Sequence, residues 1–341
     1  MLGIKTKVAN AQRLKLFLIS GGHFAHGYKP VKSAGSISFP VSGRFEIPKW
    51  LDASFGNFAF KEEEAKPKSV FEALYGSIPA KQLDEVKRSF DIIGDIAVLE
   101  ISGSIAKYAK KIGEAVLAVH HNVKAVLSKS SPMEGEYRVR KFSHVAGEKR
   151  TETLYVENGA RMKIDLARMY FSPRLATERM RIARQVKPGE NYLVLFAGCG
   201  PFALVAGRFC RGAKITGVEL NPVACEYFER NIRLNKLSNV RCVHADVRRL
   251  GGEYLGAYDR IAMPLPKDAE LFLPEAISFA KIGAMIHLYS FSEIESGFEK
   301  PLAAIGKACA DAGRKFEIIN KRVVRPFSPH VQQVVIDFRV F

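Results

Sequence analysis

Tyr192-Leu-Val-Leu-Phe-Ala-Gly-Cys-Gly-Pro-Phe202 decides the fold. An apolar run from Tyr192 to Ala197 reads as a buried strand, and it ends in a turn carrying Gly198 and Gly200. Pro201 then opens a helix, a position where a missing N–H is no loss. Glycines in such a turn let the backbone approach a ligand closely. Downstream the alternation continues: helix to Arg211, strand Lys214 to Leu220, helix to Leu234, strand Val240 to Ala245 and strand Arg260 to Met263. A further helix, the strand Ala284 to Phe291 and a helix over Phe298 to Ala312 follow. Alternating strand and helix predicts an α/β fold, a parallel sheet covered on both faces. The last two strands, Phe316 to Val324 and Val331 to Phe341, have only a loop between them and predict an antiparallel hairpin at one edge.

Two ligands compete for the glycine turn. A dinucleotide fingerprint asks for a third glycine, where this chain has Ala203, and Pro201 removes a donor that a pyrophosphate would use. The next strand ends in Glu219-Leu-Asn-Pro222, an acid placed to accept hydrogen bonds from ribose hydroxyls just before a helix start. The third strand ends at Asp246, where an acid reaches adenine in enzymes that use S-adenosylmethionine. Glycine turn, acid and second acid at three successive strand ends, with the terminal hairpin, point to a class I (Rossmann-like) S-adenosylmethionine-dependent methyltransferase domain. The cofactor-binding candidates are Phe196, Gly198, Gly200, Pro201, Phe202, Glu219, Asn221, Pro222, Asp246 and Val247.

Upstream of this domain the pattern is α+β. The amino terminus reads as an amphipathic helix, running near Val8 to Ile19 and stopping at Gly21-Gly22, followed by a strand over Ser36 to Val41. The charged stretch Lys61 to Lys68 reads as a linker. Asp91 to Ile101 reads as one buried strand, Ile105 to His120 as a helix and Val123 to Leu127 as a strand. Glu136 to Val145 and Thr151 to Val156 read as extended, and Asn158-Gly159 supplies a tight hairpin turn. The expected division is 1–60, 61–165 and 166–341, two small domains before the catalytic one.

Lys and Arg outnumber Asp and Glu by 52 to 35, a net charge of +17 that favours a polyanionic partner. The stretch Arg161 to Arg184 holds seven Lys or Arg against two acids, beside the glycine motif. The five cysteines show no CxxC spacing, so neither a zinc site nor a disulfide framework is expected. No apolar run has the length of a membrane span, and a cytoplasmic monomer is expected.

Tyr170-Phe-Ser-Pro-Arg-Leu-Ala-Thr-Glu-Arg179, the glycine turn, Glu219-Leu-Asn-Pro222, Asp246-Val-Arg248 and Leu265-Pro266 occur in that order, after Ser89-Phe-Asp-Ile-Ile-Gly-Asp-Ile-Ala97. Together they resemble the archaeal and eukaryotic tRNA (guanine-37 N1)-methyltransferase family over essentially the whole chain. The resemblance implies an amino-terminal domain that reads the tRNA's outer corner, a middle domain that contacts RNA, and no metal. It also implies that Glu178 is the general base, that Arg138 contacts the target guanine, and that Tyr170, Leu265 and Pro266 border the target pocket. Guanine N1 carries a proton at neutral pH, so a carboxylate must accept it, and the charge left on O6 calls for a guanidinium. Arg174, Arg179 and Arg181 read either as a phosphate track or as a solvated face, Arg138 equally as a phosphate contact, and Glu178 otherwise as a first-turn helix carboxylate.

One position departs from the family. Where Asn-Leu-Pro is usual, this chain has Pro264-Leu-Pro266, and proline brings neither a side-chain hydrogen bond nor an N–H. The resemblance links proline there to an archaeal branch that methylates carbon 7 of a tricyclic wyosine intermediate, alone or beside guanine N1. The target base therefore stays open between these two. A catalytically weak tRNA-binding protein is the reading from another class, and intact Gly198, Gly200, Glu219 and Asp246 speak against it.

Overall fold

The computed structural model describes all residues except His26, residues 63–66 and Pro266. Its contacts gather into two units, 1–73 and 74–341. The first unit contains β1 (Leu2–Lys7), α1 (Ala11–Ser20), β2 (Val31–Ser33), β3 (Ser36–Pro40) and β4 (Ala53–Asn57). The strands form an antiparallel sheet in the order β2-β3-β1-β4. Leu14 and Leu18 of α1 close its core over Ile4, Phe39 and Val41. The helix expected near Val8 to Ile19 is there as α1, whereas the residues before it, Leu2 to Lys7, which the same amphipathic reading took in, form a strand. β1 is central, so its backbone groups are paired on both edges, which no helix end would offer. The expected linker at 61–68 falls partly on residues outside those described.

α2 (Val70–Leu74) leads into the second unit, which continues through α3 (Ala80–Leu83), β5 (Asp91–Ile93), β6 (Ile96–Leu99), α4 (Ala109–Val119), β7 (Ala125–Lys129) and β8 (Phe142–Gly147). These strands make a sheet in the order β5-β6-β7-β8. The single strand expected over Asp91 to Ile101 is a hairpin broken at Gly94, whose φ is +59°. A Cβ there would also lie 2.6 Å from the Leu154 carbonyl oxygen, so the site admits only glycine. The extended run expected from Glu136 begins only at Phe142, because residues 135–138 form a turn. β9 (Glu152–Glu157) and β10 (Ala160–Asp165) form the expected hairpin, with φ +49° at Asn158 and +76° at Gly159.

The remaining elements are α5 (Ala176–Ala183), β11 (Asn191–Leu195), α6 (Pro201–Phe209), β12 (Lys214–Glu219), α7 (Pro222–Leu234), β13 (Val240–His244), β14 (Tyr258–Met263), α8 (Leu273–Phe279), β15 (Ala280–Glu293), α9 (Glu299–Asp311), β16 (Phe316–Pro326) and β17 (Val331–Val340). They build a seven-stranded sheet in the order β13-β12-β11-β14-β15-β17-β16. β17 runs antiparallel to both neighbours, and the first five strands are parallel. Alternation in β11 sends Tyr192 and Val194 into one core and Leu193 and Leu195 into the other. Each such apolar side chain contributes about 1.5–3 kcal/mol when fully buried.

The first core also takes in Ile96 and Leu127 of the middle sheet and Met162 and Ile164 of β10. The β9–β10 hairpin is tied to α7 by side chains, Asn231 Oδ1 accepting from Lys163 N at 2.7 Å and Asn235 Oδ1 from Arg161 N at 2.8 Å. The boundary expected at 165 therefore lies inside one packed unit, and the middle sheet shares its core with the large sheet. Among the described residues no helix is long and apolar enough to cross a membrane.

Candidate active site

The glycine turn lies between β11 and α6, at the carboxyl ends of the parallel strands where open α/β sheets bind ligands. Its backbone is left-handed at every other residue: φ is +55° at Phe196, +56° at Gly198 and +92° at Gly200. The two glycines are needed for different reasons. A Cβ on Gly200 would lie 2.1 Å from the buried ring of Phe228, so this glycine serves packing as well as the turn. A Cβ on Gly198 would meet only the Tyr170 carbonyl oxygen, at 3.7 Å, so this glycine leaves space. Pro201 is the first residue of α6, and buried Phe202 packs edge-on against Tyr289 at 5.7 Å.

Glu219 ends β12 beneath that space. Its two carboxylate oxygens accept from Gly198 N and Asn221 N, each at 2.7 Å, which fixes the side chain and leaves further lone pairs for ribose hydroxyls. Burial raises its pKa, and these amide hydrogen bonds pull it back down. Asp246 caps a short helical turn and is held low by Arg248, which pairs with it at 2.8 Å. Gly198, Glu219 and Asp246 can therefore hold an adenosyl group, and Phe196, just before the turn, packs its ring edge-on to Phe272 at 4.8 Å. Asn221 has a structural role as well. Its Oδ1 caps α7 on Val223 N and Ala224 N, and its Nδ2 donates one hydrogen to the Arg168 carbonyl, so the side chain is held by the fold. Pro222 is the first residue of α7, and the Val247 side chain lies in the second core.

The segment Tyr170 to Arg181 runs alongside. Ser172 Oγ accepts from Arg174 N at 3.4 Å and starts the turn into α5. Glu178 lies on the first turn of α5 and is only 1% exposed. Its Oε2 accepts from Arg181 Nε and Tyr289 Oη, both at 2.9 Å, and Arg322 of β16 lies against Oε1 as an ion pair without a well-directed hydrogen bond. A solvated helix carboxylate could keep Arg181, three residues on, but would not be buried against Tyr289 and Arg322. Arg179 and Arg181 are not a phosphate track. Arg179 is 2% exposed, pairs with Glu157, donates to the Ser172 carbonyl and lies over Phe171 and Phe202. Arg181 is spent between Glu178 and Asp337. Arg174 stays half-exposed, but Asp91 takes its guanidinium in two bonds at 2.9 and 3.0 Å.

Behind Glu178 runs a chain of buried polar groups that the sequence reading missed. Asp337 accepts from Arg181 and from His287 Nδ1 at 2.6 Å, and Arg260 donates to His287 Nε2 at 2.9 Å. A guanidinium only donates, so Nε2 is an acceptor and Nδ1 carries the proton. Burial lowers the pKa of His287 and keeps it neutral. Burial pushes Asp337 up, but His287 and Arg181 outweigh it and hold its carboxyl well below the usual range. The available signal was a lone His and a lone Asp inside otherwise apolar strands, Met285-Ile-His-Leu288 and Val335-Ile-Asp-Phe338.

Arg138 sits at the end of the 135–138 turn with φ +50°, not on a strand face. It donates to the Lys267 carbonyl oxygen at 2.6 Å and pairs with Asp268 at 3.3 Å. This ties it to the loop after β14 that carries half-buried Pro264 and Leu265, with Leu265 packed on the second core. The expectation for Pro266 lies outside the described residues.

The TRM5/TYW2 methyltransferase domain matches residues 153–319, and the TYW2 N-terminal domain matches residues 70–151. The tRNA (guanine(37)-N(1))-methyltransferase Trm5b of Pyrococcus abyssi is 38% identical over 99% of both chains. A tRNA (guanine(37)-N(1))/4-demethylwyosine(37)-methyltransferase, Taw22 of Nanoarchaeum equitans, is 33% identical over 60% of this chain and 84% of its own length. Among solved structures, aTrm5 in complex with tRNALeu superposes with a TM-score of 0.82 at 30% identity, covering 99% of each chain.

Proposed function

This chain belongs to the TRM5/TYW2 methyltransferase family, and from that premise we propose that it is an S-adenosylmethionine-dependent enzyme that methylates N1 of guanine-37 in tRNA, working as a monomer in the cytoplasm. The observation that carries the substrate assignment is the bond from Arg138 to Lys267. It brings a guanidinium, 129 residues distant in sequence, to the loop that follows Pro264 at the end of a parallel strand.

S-adenosylmethionine supplies an electrophilic methyl group when bound, and Gly198, Glu219 and Asp246 are the residues that would hold it. Glu178 accepts the N1 proton. For that an oxygen must come free, and Oε1 is the candidate, because it is held only by the charge of Arg322. Arg181 and Tyr289 keep the other oxygen fixed, so the carboxylate is positioned before substrate arrives. Arg138 stabilises the charge that deprotonation leaves on O6. Glu178→Gln keeps shape and loses proton affinity, so the single-turnover rate of methyl transfer should fall about 10²-fold or more with tRNA and cofactor binding nearly intact. A wild-type rate would reduce Glu178 to a structural ion-pair member.

Pro264 favours a second substrate, carbon 7 of the tricyclic wyosine intermediate at the same tRNA position. Where an asparagine could bond the guanine edge, proline presents an apolar surface, and discrimination by such a bond is large. Mass-spectrometric nucleoside analysis of guanine-37 tRNA and wyosine-intermediate tRNA, each treated with the protein and labelled S-adenosylmethionine, distinguishes the two. N1-methylguanosine is the expected product, with C7 methylation beside it. Pro264→Asn should preserve the first and reduce the second, whereas equal loss of both would leave Pro264 only a backbone role.

A further inference from the structure

A concavity of about 330 Å³ opens within the larger unit between the middle sheet and the Tyr170–Arg174 turn. That volume lies at the small end of ligand sites, enough for one nucleotide. Five cations line it, Lys129, Arg138, Arg140, Arg174 and Arg325, with two carboxylates, Asp91 and Glu100. The acids are already engaged, Asp91 by Arg174 and Glu100 by Lys129 and Lys87. Arg138 has Asp268.

Two guanidiniums are left over. The Nε of Arg140 is buried with no hydrogen-bond partner, and among the described residues Arg140 makes no ion pair. Arg325 finds only the neutral Gln333 Oε1, at 2.9 Å. Burial lowers the Arg325 pKa, and the nearby Arg174 adds to this against the opposing pull of Tyr170 and Asp91. Half-buried charge without a partner is costly, and an anion relieves it. The cleft also offers a flat apolar surface. Phe327 is 53% exposed, its ring lies 5.9 Å from the Arg325 guanidinium carbon, and it is backed by Phe291 at 4.3 Å. An anion site beside an exposed aromatic ring is the pairing that single-stranded RNA recognition uses.

We propose that this cleft holds the nucleotide adjoining the target in the RNA strand, its phosphate between Arg140 and Arg325 and its base on Phe327. The assignment to a neighbouring nucleotide rests on the active-site reading above, because Arg138 and Tyr170 border both places. It gives the enzyme a hold on the strand that is separate from the target base, and splaying one loop nucleotide against an aromatic ring helps keep the next one unstacked.

The test uses the full chain and a synthetic anticodon stem-loop. Single phosphates on either side of the target, and one distant phosphate, are replaced in turn by neutral methylphosphonates. Wild-type protein should lose about tenfold in RNA affinity for one flanking replacement and little for the distant one. Arg140→Gln and Arg325→Gln should each bind the normal stem-loop about tenfold more weakly, lose little more with the same neutral linkage, and reduce the salt slope by about 0.7–1. Arg140→Lys and Arg325→Lys keep the charge and should restore most of the slope. Turnover at saturating RNA and cofactor affinity should be unchanged, with the effect confined to KM. Losses that simply add for every linkage, or variants that bind like wild type, overturn the proposal. The wild-type methylphosphonate series stands even if a variant folds poorly. If wild type transfers no methyl to any tRNA yet shows the non-additivity, the activity reading fails and the cleft remains; if it methylates tRNA and the variants bind normally, only the cleft fails.

Discussion

At the scale of single residues, the site separates groups that hold the fold from groups that face the ligand. Gly198→Ala and Gly200→Ala look like the same change. At Gly200 the new methyl would meet Phe228 at 2.1 Å in a backbone of φ +92°, so about 2–4 kcal/mol of stability should be lost in urea unfolding. At Gly198 nothing lies closer than 3.7 Å, so stability should fall by only about 1 kcal/mol, while calorimetry should show a large loss of S-adenosylmethionine affinity. Equal destabilisation by both would mean that the Gly198 space is not a ligand space. Glu219 adds a pH dependence. Burial lifts its pKa above the ordinary 4.5, and the ionised form is the better acceptor for ribose hydroxyls. Cofactor affinity should be full above the raised pKa and fall as pH drops through it. Glu219→Gln should bind weakly with that acid limb gone, and a wild-type limb surviving in the variant would assign the titration elsewhere.

At the scale of elements, α5, β15 and β17 are joined by charge as well as by apolar packing. Asp337 on β17 holds Arg181 of α5 and His287 of β15, and Arg181 in turn holds Glu178. Asp337→Asn leaves Arg181 with Glu178 as its remaining counter-charge and takes the ionised acceptor from His287, and losing a hydrogen bond to a charged group costs about 1.5–3 kcal/mol. Urea unfolding should show a loss of that order, and methyl transfer should slow because Glu178 is no longer steadied. The pH sign follows from the depressed folded pKa. The stabilisation from Asp337 is present above its unfolded value of about 3.9 and is lost as pH falls through the folded value. The variant should therefore lose part of the acid-side slope of stability, and an unchanged slope would remove Asp337 from the account.

At the scale of the whole molecule, charge and division into units set the RNA interaction. A net charge of +17 predicts tRNA affinity that falls steeply with salt, and full-length protein that ignores tRNA at low salt would end the substrate assignment. The first unit has its own sheet and core, so removing residues 1–73 should leave a folded remainder. That remainder should bind S-adenosylmethionine as before and tRNA more weakly. Loss of cofactor binding on truncation would show that the two units are not separable in this way.

The sequence by itself determined the alternating sheet, the terminal hairpin, the Asn158-Gly159 turn and the glycine turn with Glu219 and Asp246. Each is written in neighbouring residues, as a hydrophobic period, a left-handed position or a strand end. It also carried enough motif to reveal the family. Only the tertiary structure decided which charges are spent inside. Arg174, Arg179 and Arg181 look alike along the chain, yet Asp91, Glu157 and Asp337 claim them from 83, 22 and 156 residues away. The same holds for Leu2 to Lys7, which becomes a strand because β3 and β4 flank it, and for Arg140 and Arg325, which share a cleft across two sheets. A buried charge is governed by what lies within a few ångströms, and local sequence does not encode a distance set by how the strands are ordered.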